Sequence, residues 1–394
     1  MTGITVRYAE AAEIDGWDAL VARNPAGGDF VQARPYADTK AAVGWIPRFL
    51  VFEHGGERGD EHASVSLALE RRIPLLGSYW YLPHGPAVAT AEEARAHVEA
   101  LRDFLREREP RVFAATVEPP IERIGDAPAS ESEAARALAP LGARWRPGIQ
   151  SNVSTAIVDL AGEDGPRTDA ELLSSFQKRC RNSINRAIRD GVEVREYPAD
   201  AETFAHMHRL MRLVGGGGQT LRLRSEDYAE RFWRGFSEAG LGRFYGIESS
   251  GIEGGGEGSG TAGGGTDAGG SPALLAYVIR VGERAYYKDG GSERPRTSPG
   301  MSNLLQWRMM RDARDAGATS YDLMGTPPRD RLDDPSSPNH TLAAFKLSFA
   351  NEVTELVGAF DLVLRPRAYR LWTRAGLPLA QRAHRRRYRD LDLY

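Results

Sequence analysis

A chain of 394 residues, 41% of them hydrophobic and 27% charged, is long enough for two domains of ordinary size, and one core is not expected to hold it. Its formal net charge of −3 excludes a global pull toward nucleic acid or membrane, so a polyanionic partner must be met by a local patch. The single cysteine, Cys180, excludes an intramolecular disulfide framework. The eight histidines lie without Cys or carboxylate partners at ligand spacing, so no metal site is expected.

In chain order, MTGITVRYAEAAEIDGW at the N-terminus lacks a basic start followed by an apolar block, and no segment offers the roughly 18 apolar residues of a membrane span. A cytoplasmic protein, neither exported by a classical signal nor crossing the membrane, is the expectation. From Arg48 the chain reads strand (RFLVFEH), polar turn, strand (ASVSLALERRIP), helix (EEARAHVEALRDFLRERE) and strand (RVFAATVE). About 195 residues later the same order returns: RFYGIES, a glycine-rich turn, ALLAYVIRVGERAYY, MSNLLQWRMMRDARDAG and TSYDLMG. Both helices space their apolar residues by three and four, as in Val98, Leu101 and Leu105, or Leu304, Trp307 and Met310. Two β-β-α-β units in one chain follow.

Between them the pattern predicts one helix from Ala170 to about Arg189, stopped by Asp190-Gly191. Lys178, Arg181, Asn185 and Arg189 line one side, with Arg179 and Arg186 beside them, while Phe176, Cys180, Ile184 and Ala187 can face inward. This is a helix with a cationic face, suited to phosphates and equally to solvent. RLVGGG, from Arg212, fits the R-x-x-G-x-G cradle of acetyl-CoA-binding enzymes, but a helical pattern precedes it where the cradle needs a strand. The low-complexity run 251–271 cannot bury enough apolar area to offset its ordering entropy, and a disordered loop insertion at a hairpin tip is expected. TLAAFKLSFANE, from Thr341, sets one lysine among phenylalanines; as a strand it would send Lys346 to water, and as a helix it would place Lys346 at the margin of a buried stripe. From Arg365 to Arg389 nine arginines and no acid read as a contact for phosphates or an anionic surface, or as a solvated helix. There is no G-x-S-x-G elbow and no G-K-[ST] after a glycine run, so neither a serine triad nor ATP-driven ligation is indicated.

Five separated stretches carry a resemblance: GDFVQARPYADTKAAVGW at Gly28, YLPHGP at Tyr81, SFQKRCRNSINRAIRDGVEV at Ser175, YYKDGGSERPRTSPGMSNLLQWRMMRDARDAGATSYDLMG at Tyr286 and AAFKLSFANEVTELVGAFDLVL at Ala343. Together, in order and from about Asp29 to Leu364, they resemble the FemABX proteins, aminoacyl-tRNA-dependent transferases that build peptidoglycan interpeptide bridges.

The resemblance implies an α/β fold of two fused acetyltransferase-like domains, mixed sheets flanked by helices, without the long helical hairpin of some members. The first domain would span 1–150 and the second 151–361, with a segment of about 362–394 packing back on the first. It implies transfer of an amino acid from aminoacyl-tRNA, as co-substrate and without a cofactor, to the side-chain amine of the stem peptide on lipid II or a UDP-linked muropeptide. The enzyme would be monomeric and could touch the inner membrane face. An acyl-CoA-dependent N-acyltransferase and a non-catalytic binder of RNA or cell-wall precursor stay open as alternatives.

Carried over by position, Lys40 matches a lysine on the acceptor diphosphate, Arg224 and Tyr228 match residues around the same acceptor, and Tyr81 opens a substrate-lining motif. Tyr287, or its neighbour Tyr286, matches a tyrosine of the second domain's channel. Phe345 and Lys346 match a pair beside the reacting centre, with Lys346 the catalytic residue. Lys178, Arg181, Arg186 and Arg189 would hold the RNA. Departures stand at His84, where arginine is usual, at Asp289, where an aromatic is expected, and at Ala350-Asn351, where glycines are usual.

Overall fold

The computed structural model describes residues 3–55, 62–125, 127–150, 153–216, 223–248, 271–293, 299–337, 340–390 and 393–394. The low-complexity expectation falls almost wholly outside them. Each β-β-α-β unit becomes a sheet. In the first, β1 (Ile4–Tyr8), β2 (Ile46–His54), β3 (His62–Ile73), β4 (Gly77–Leu82) and β5 (Val112–Val117) lie in chain order. All neighbours are antiparallel except β4 and β5, which the helix Ala91–Arg108 joins as a parallel crossover. That helix starts at a capping box between Thr90 and Glu93, worth about 1 kcal/mol. The second sheet repeats the arrangement with Arg195–Tyr197, Gly242–Ile247, Leu274–Val281, Arg284–Ser292 and Ser320–Asp322. There too the last pair is parallel, across the helix Met301–Asp315, and Ile157–Asp159 adds an outer strand.

Alternation along the strands separates three cores. In β4, Tyr79 and Tyr81 face a core shared by both units, while Trp80 and Leu82 face the crossover helix Ala91–Arg108. The shared core also holds Phe204, Phe232, Phe236 and Tyr277 from the second unit. Phe30 packs edge-on against Tyr286 at 5.0 Å in its middle. The loop before Phe30 comes so close to the second sheet that a Cβ on Gly28 would strike the carbonyl of Val281.

Two features depart from the sequence pattern. The expected helix 170–189 is two, Asp169–Ser175 and Lys178–Arg189. The hydroxyl of Ser175 donates back to the Leu172 carbonyl, and Phe176 turns extended to pack against Trp307 and Phe349. In addition, Ala359–Val363 crosses to the first sheet and inserts between β5 and β6 (Ala143–Arg146). Asp361 anchors it there, accepting from Thr116 and from the Tyr369 hydroxyl.

Candidate functional site

Four of the residues singled out in the sequence meet in one cleft over the first sheet. The helix Arg34–Ala42 carries Lys40, which is 1% exposed, its ammonium over the rings of Tyr36 at 5.0 Å and Tyr228 at 5.1 Å. Aromatic faces stabilise a buried cation through their quadrupole without neutralising it. Ser225 caps the helix Glu226–Glu238, which presents Tyr228 in its first turn, and Arg224 stacks on the same ring at 4.6 Å. Gln150 donates to the hydroxyls of Tyr36 at 3.3 Å and Tyr81 at 3.0 Å. The Tyr81 hydroxyl donates in turn to Glu118, whose other oxygen accepts from the backbone of Ile149.

Strand parity adds a cation that pattern reading passed over. Val65, Leu67 and Leu69 face the shared core, so Arg71 faces the same cleft, stacked on Trp45 at 4.5 Å. Burial lowers its pKa to about 10. His384, from the C-terminal helix Leu377–Tyr388, is 2% exposed with neither ring nitrogen hydrogen-bonded to a described residue, and burial beside Arg71 lowers its pKa to about 4. The imidazole is neutral there. Asp390, fully buried, lies 3.0 Å from Arg224. Arg224 also donates to the main-chain oxygen of Tyr394, and Trp45 to that of Leu393. The end of the described chain therefore lies in the cleft and occupies Arg224.

The second centre is Lys346. Its segment is the helix His340–Ala350, ended by Asn351 in the left-handed region at φ 66°. Neither geometry offered by the pattern describes the lysine, which points inward. It is 7% exposed, while Phe345 beside it is only half-buried against Phe349. The Nζ donates to the carbonyls of Met324 and Gly325, each at 2.7 Å. Met324 holds the turn open to it at φ 59°, fixed by its N–H on Asp322. Burial lowers the Lys346 pKa to about 8, and Asp322 opposes that shift; burial raises Asp322. An ammonium has three N–H donors, so two carbonyls leave one for another acceptor.

A third buried group ties the units together. His84 pairs with Asp29 at 2.7 Å, both almost fully buried. Although desolvation opposes both shifts, the pairing holds His84 above its ordinary pKa and Asp29 below it. Arg284 and Tyr286, on the strand beside Asp322, reach the same loop: Arg284 donates to the Ala26 carbonyl at 3.2 Å and Tyr286 to that of Gly28 at 2.9 Å. Tyr286 is thus engaged in joining the units. Tyr287 is half-buried against the second core, where burial raises its phenol to about 12. Asp289 accepts from the Trp233 indole at 2.8 Å.

Of the anion-binding set, Lys178, Arg186 and Arg189 are exposed on the helix Lys178–Arg189. Arg181 donates to the carbonyls of Ser174 and Phe176 and so closes the helix break. RLVGGG offers no cradle as far as it is described, because the helix Ala201–Gly216 runs through it. Among the described residues no helix is long and apolar enough to cross a membrane, and no three His, Cys, Asp or Glu side chains gather as metal ligands.

The chain has relatives among known proteins. The FemAB family model matches residues 14–240 and 278–376. A lipid II:glycine glycyltransferase of Staphylococcus epidermidis is 25% identical over 408 residues, spanning 90% of this chain and 92% of that one. One of Staphylococcus aureus is 23% identical over 412 residues, spanning 90% and 92%. The crystal structure of FemX superposes with a TM-score of 0.73 at 20% identity, over 93% of this chain and 99% of that one. The chain belongs to the FemAB family and is a transferase built of two β-β-α-β units.

Proposed function

We propose that this transferase adds an amino acid from aminoacyl-tRNA to the side-chain amine of the stem peptide on a peptidoglycan precursor, lipid II or a UDP-linked muropeptide. The observation that carries the reading is the convergence of Lys40, Arg71 and Arg224 from three chain segments on one aromatic-walled cleft. Cations from separate segments, set on aromatic faces in one cleft, suit a diphosphate-linked acceptor. Relatives named for glycyl transfer to lipid II support the same acceptor.

In the reaction the amine nitrogen attacks the ester carbonyl carbon, a C–N bond forms, the C–O bond to ribose breaks, and the amine's proton ends on the departing ribose oxygen. No cofactor is required. The protein's part is to orient two large substrates and to stabilise the developing oxyanion. Lys346 would do the second, a reading its two carbonyl contacts and one remaining N–H support. One preorganised donor of this kind is worth about 2–4 kcal/mol. The peptide's own groups or water take the proton in transit. Lys178, Arg186 and Arg189 would meet RNA phosphates, with Tyr287 and Phe345 lining the way to Lys346.

The test incubates the protein with charged tRNA or acetyl-CoA and a stem-peptide precursor, wild type beside Lys346→Ala, and weighs the product. Ribonuclease-sensitive transfer, lost in Lys346→Ala with folding kept, is the expected result. Transfer that needs acetyl-CoA, or precursor binding with no product, would overturn the reading. The product's mass names the amino acid.

A further inference from the structure

The C-terminal helical segment 366–388 has two faces, and only one is explained by the core. Its inner face, with Trp372, Leu377, Ala380, His384 and Tyr388, covers the first sheet and the cleft. Its outer face carries Leu371, 54% exposed, and Leu379, 62% exposed, with Ala375 and Ala383 also exposed, so that an apolar row recurs every four residues. Arg370, Arg374, Arg382 and Arg386, all exposed, form the neighbouring row, and none pairs with an acid among the described residues. No acid occurs in the sequence between Asp361 and Asp390.

An arginine row alone would serve RNA or lipid phosphates alike. The leucines decide between them, because a phosphate-tracking surface gains nothing from exposed aliphatic side chains, whereas an interfacial helix buries them at the boundary between headgroups and acyl chains. We propose that the outer face of segment 366–388 docks on an anionic lipid bilayer, its arginines among the headgroups and Leu371 and Leu379 below them. The inner face of the same segment roofs the acceptor cleft, so docking brings that cleft to the bilayer surface. The surface itself stands apart from the proposed reaction. Only its use in presenting a lipid-linked acceptor rests on that reading.

The test is flotation of the full chain with vesicles of equal phosphatidylglycerol and phosphatidylcholine, against phosphatidylcholine alone, with no precursor present. Wild type is expected to float with the anionic vesicles only. Leu371→Ser/Leu379→Ser and Arg370→Glu/Arg374→Glu/Arg382→Glu are each expected to lose at least about tenfold in partitioning at unchanged melting temperature. Transfer to a soluble UDP-linked acceptor is measured on the leucine variant; its persistence at the wild-type rate separates loss of docking from loss of the reaction. Absence of flotation, or flotation untouched by the leucine changes, would overturn the proposal. So would a face that binds RNA, reversed by the glutamates and not by the serines, while vesicles stay unbound.

Discussion

Lys40 and Lys346 are both lysines on short helices, both almost fully buried, and they are made tolerable in opposite ways. Lys40 lies over the rings of Tyr36 and Tyr228, whose faces attract its charge without accepting its proton. Lys346 gives two of its hydrogens to carbonyls of a turn held open by a left-handed residue, and its charge is fixed to within one remaining donor. The first arrangement suits holding a large anion whose position can adjust. The second suits a charge that must stand still while a bond changes, because preorganised donors need no reorganisation at the moment of reaction.

The sharpest way to break that distinction is to remove each lysine and see which kinetic constant responds. Lys346→Ala is expected to lower kcat about 10²–10³-fold with little change in KM for the precursor, as removal of one oxyanion donor does. The wild-type rate should also decline as pH rises past about 8, where Lys346 gives up its proton, and Lys346→Arg should move that decline upward while keeping part of the rate. Lys40→Met keeps the stem and loses the charge. It is expected to raise KM for the acceptor about tenfold, about 1.4 kcal/mol, with kcat nearly kept, and to combine non-additively with Arg224→Met because both touch Tyr228. If Lys40→Met lowered kcat and Lys346→Ala raised KM, the two roles would have to be exchanged.

A smaller effect sharpens the picture of the cleft. Asp390→Asn removes a buried carboxylate from Arg224 while the Tyr394 carbonyl contact stays, so unfolding in urea should shift by about 1–3 kcal/mol toward instability, the cost of weakening a charged hydrogen bond. Under the proposed function the same change lowers KM for the acceptor, since the tail then holds Arg224 less tightly.

The smallest effect lies in pH-dependent stability. His84 has a folded pKa above its unfolded value, so the stability it contributes is fully present below about pH 6.5 and is lost as pH rises through the folded value. Lys346 has the reverse sign: its folded pKa of about 8 lies below the unfolded one, so native protein binds fewer protons between them and stability rises with pH across that interval. Urea midpoints from pH 6 to 10 should therefore lose their falling component in His84→Asn and their rising component in Lys346→Met.

Much of the fold was legible because it is written in local periodicity. The two strand-strand-helix-strand runs and the inward faces of Phe176, Cys180, Ile184 and Ala187 follow from spacing. The cleft was legible in part. Lys40, Arg224 and Tyr228 came from resemblance, whereas Arg71 could have been found from the parity of Leu67 and Leu69 alone. His384 and the Asp29–His84 pair could not, since nothing near them in the chain distinguishes a buried histidine from an exposed one.

The sequence by itself determined that there are two similar units, where their helices and strands run, and that a lysine sits among phenylalanines. Periods of two and 3.6 are properties of neighbouring residues, so they survive without knowledge of the rest of the chain. Only the tertiary structure decided that Ala359–Val363 enters the first sheet, that the tail reaches Arg224 and that Lys346 turns inward to two carbonyls. Each of those depends on partners more than 20 residues away, chosen by which edges and buried polar groups the finished cores leave to be satisfied.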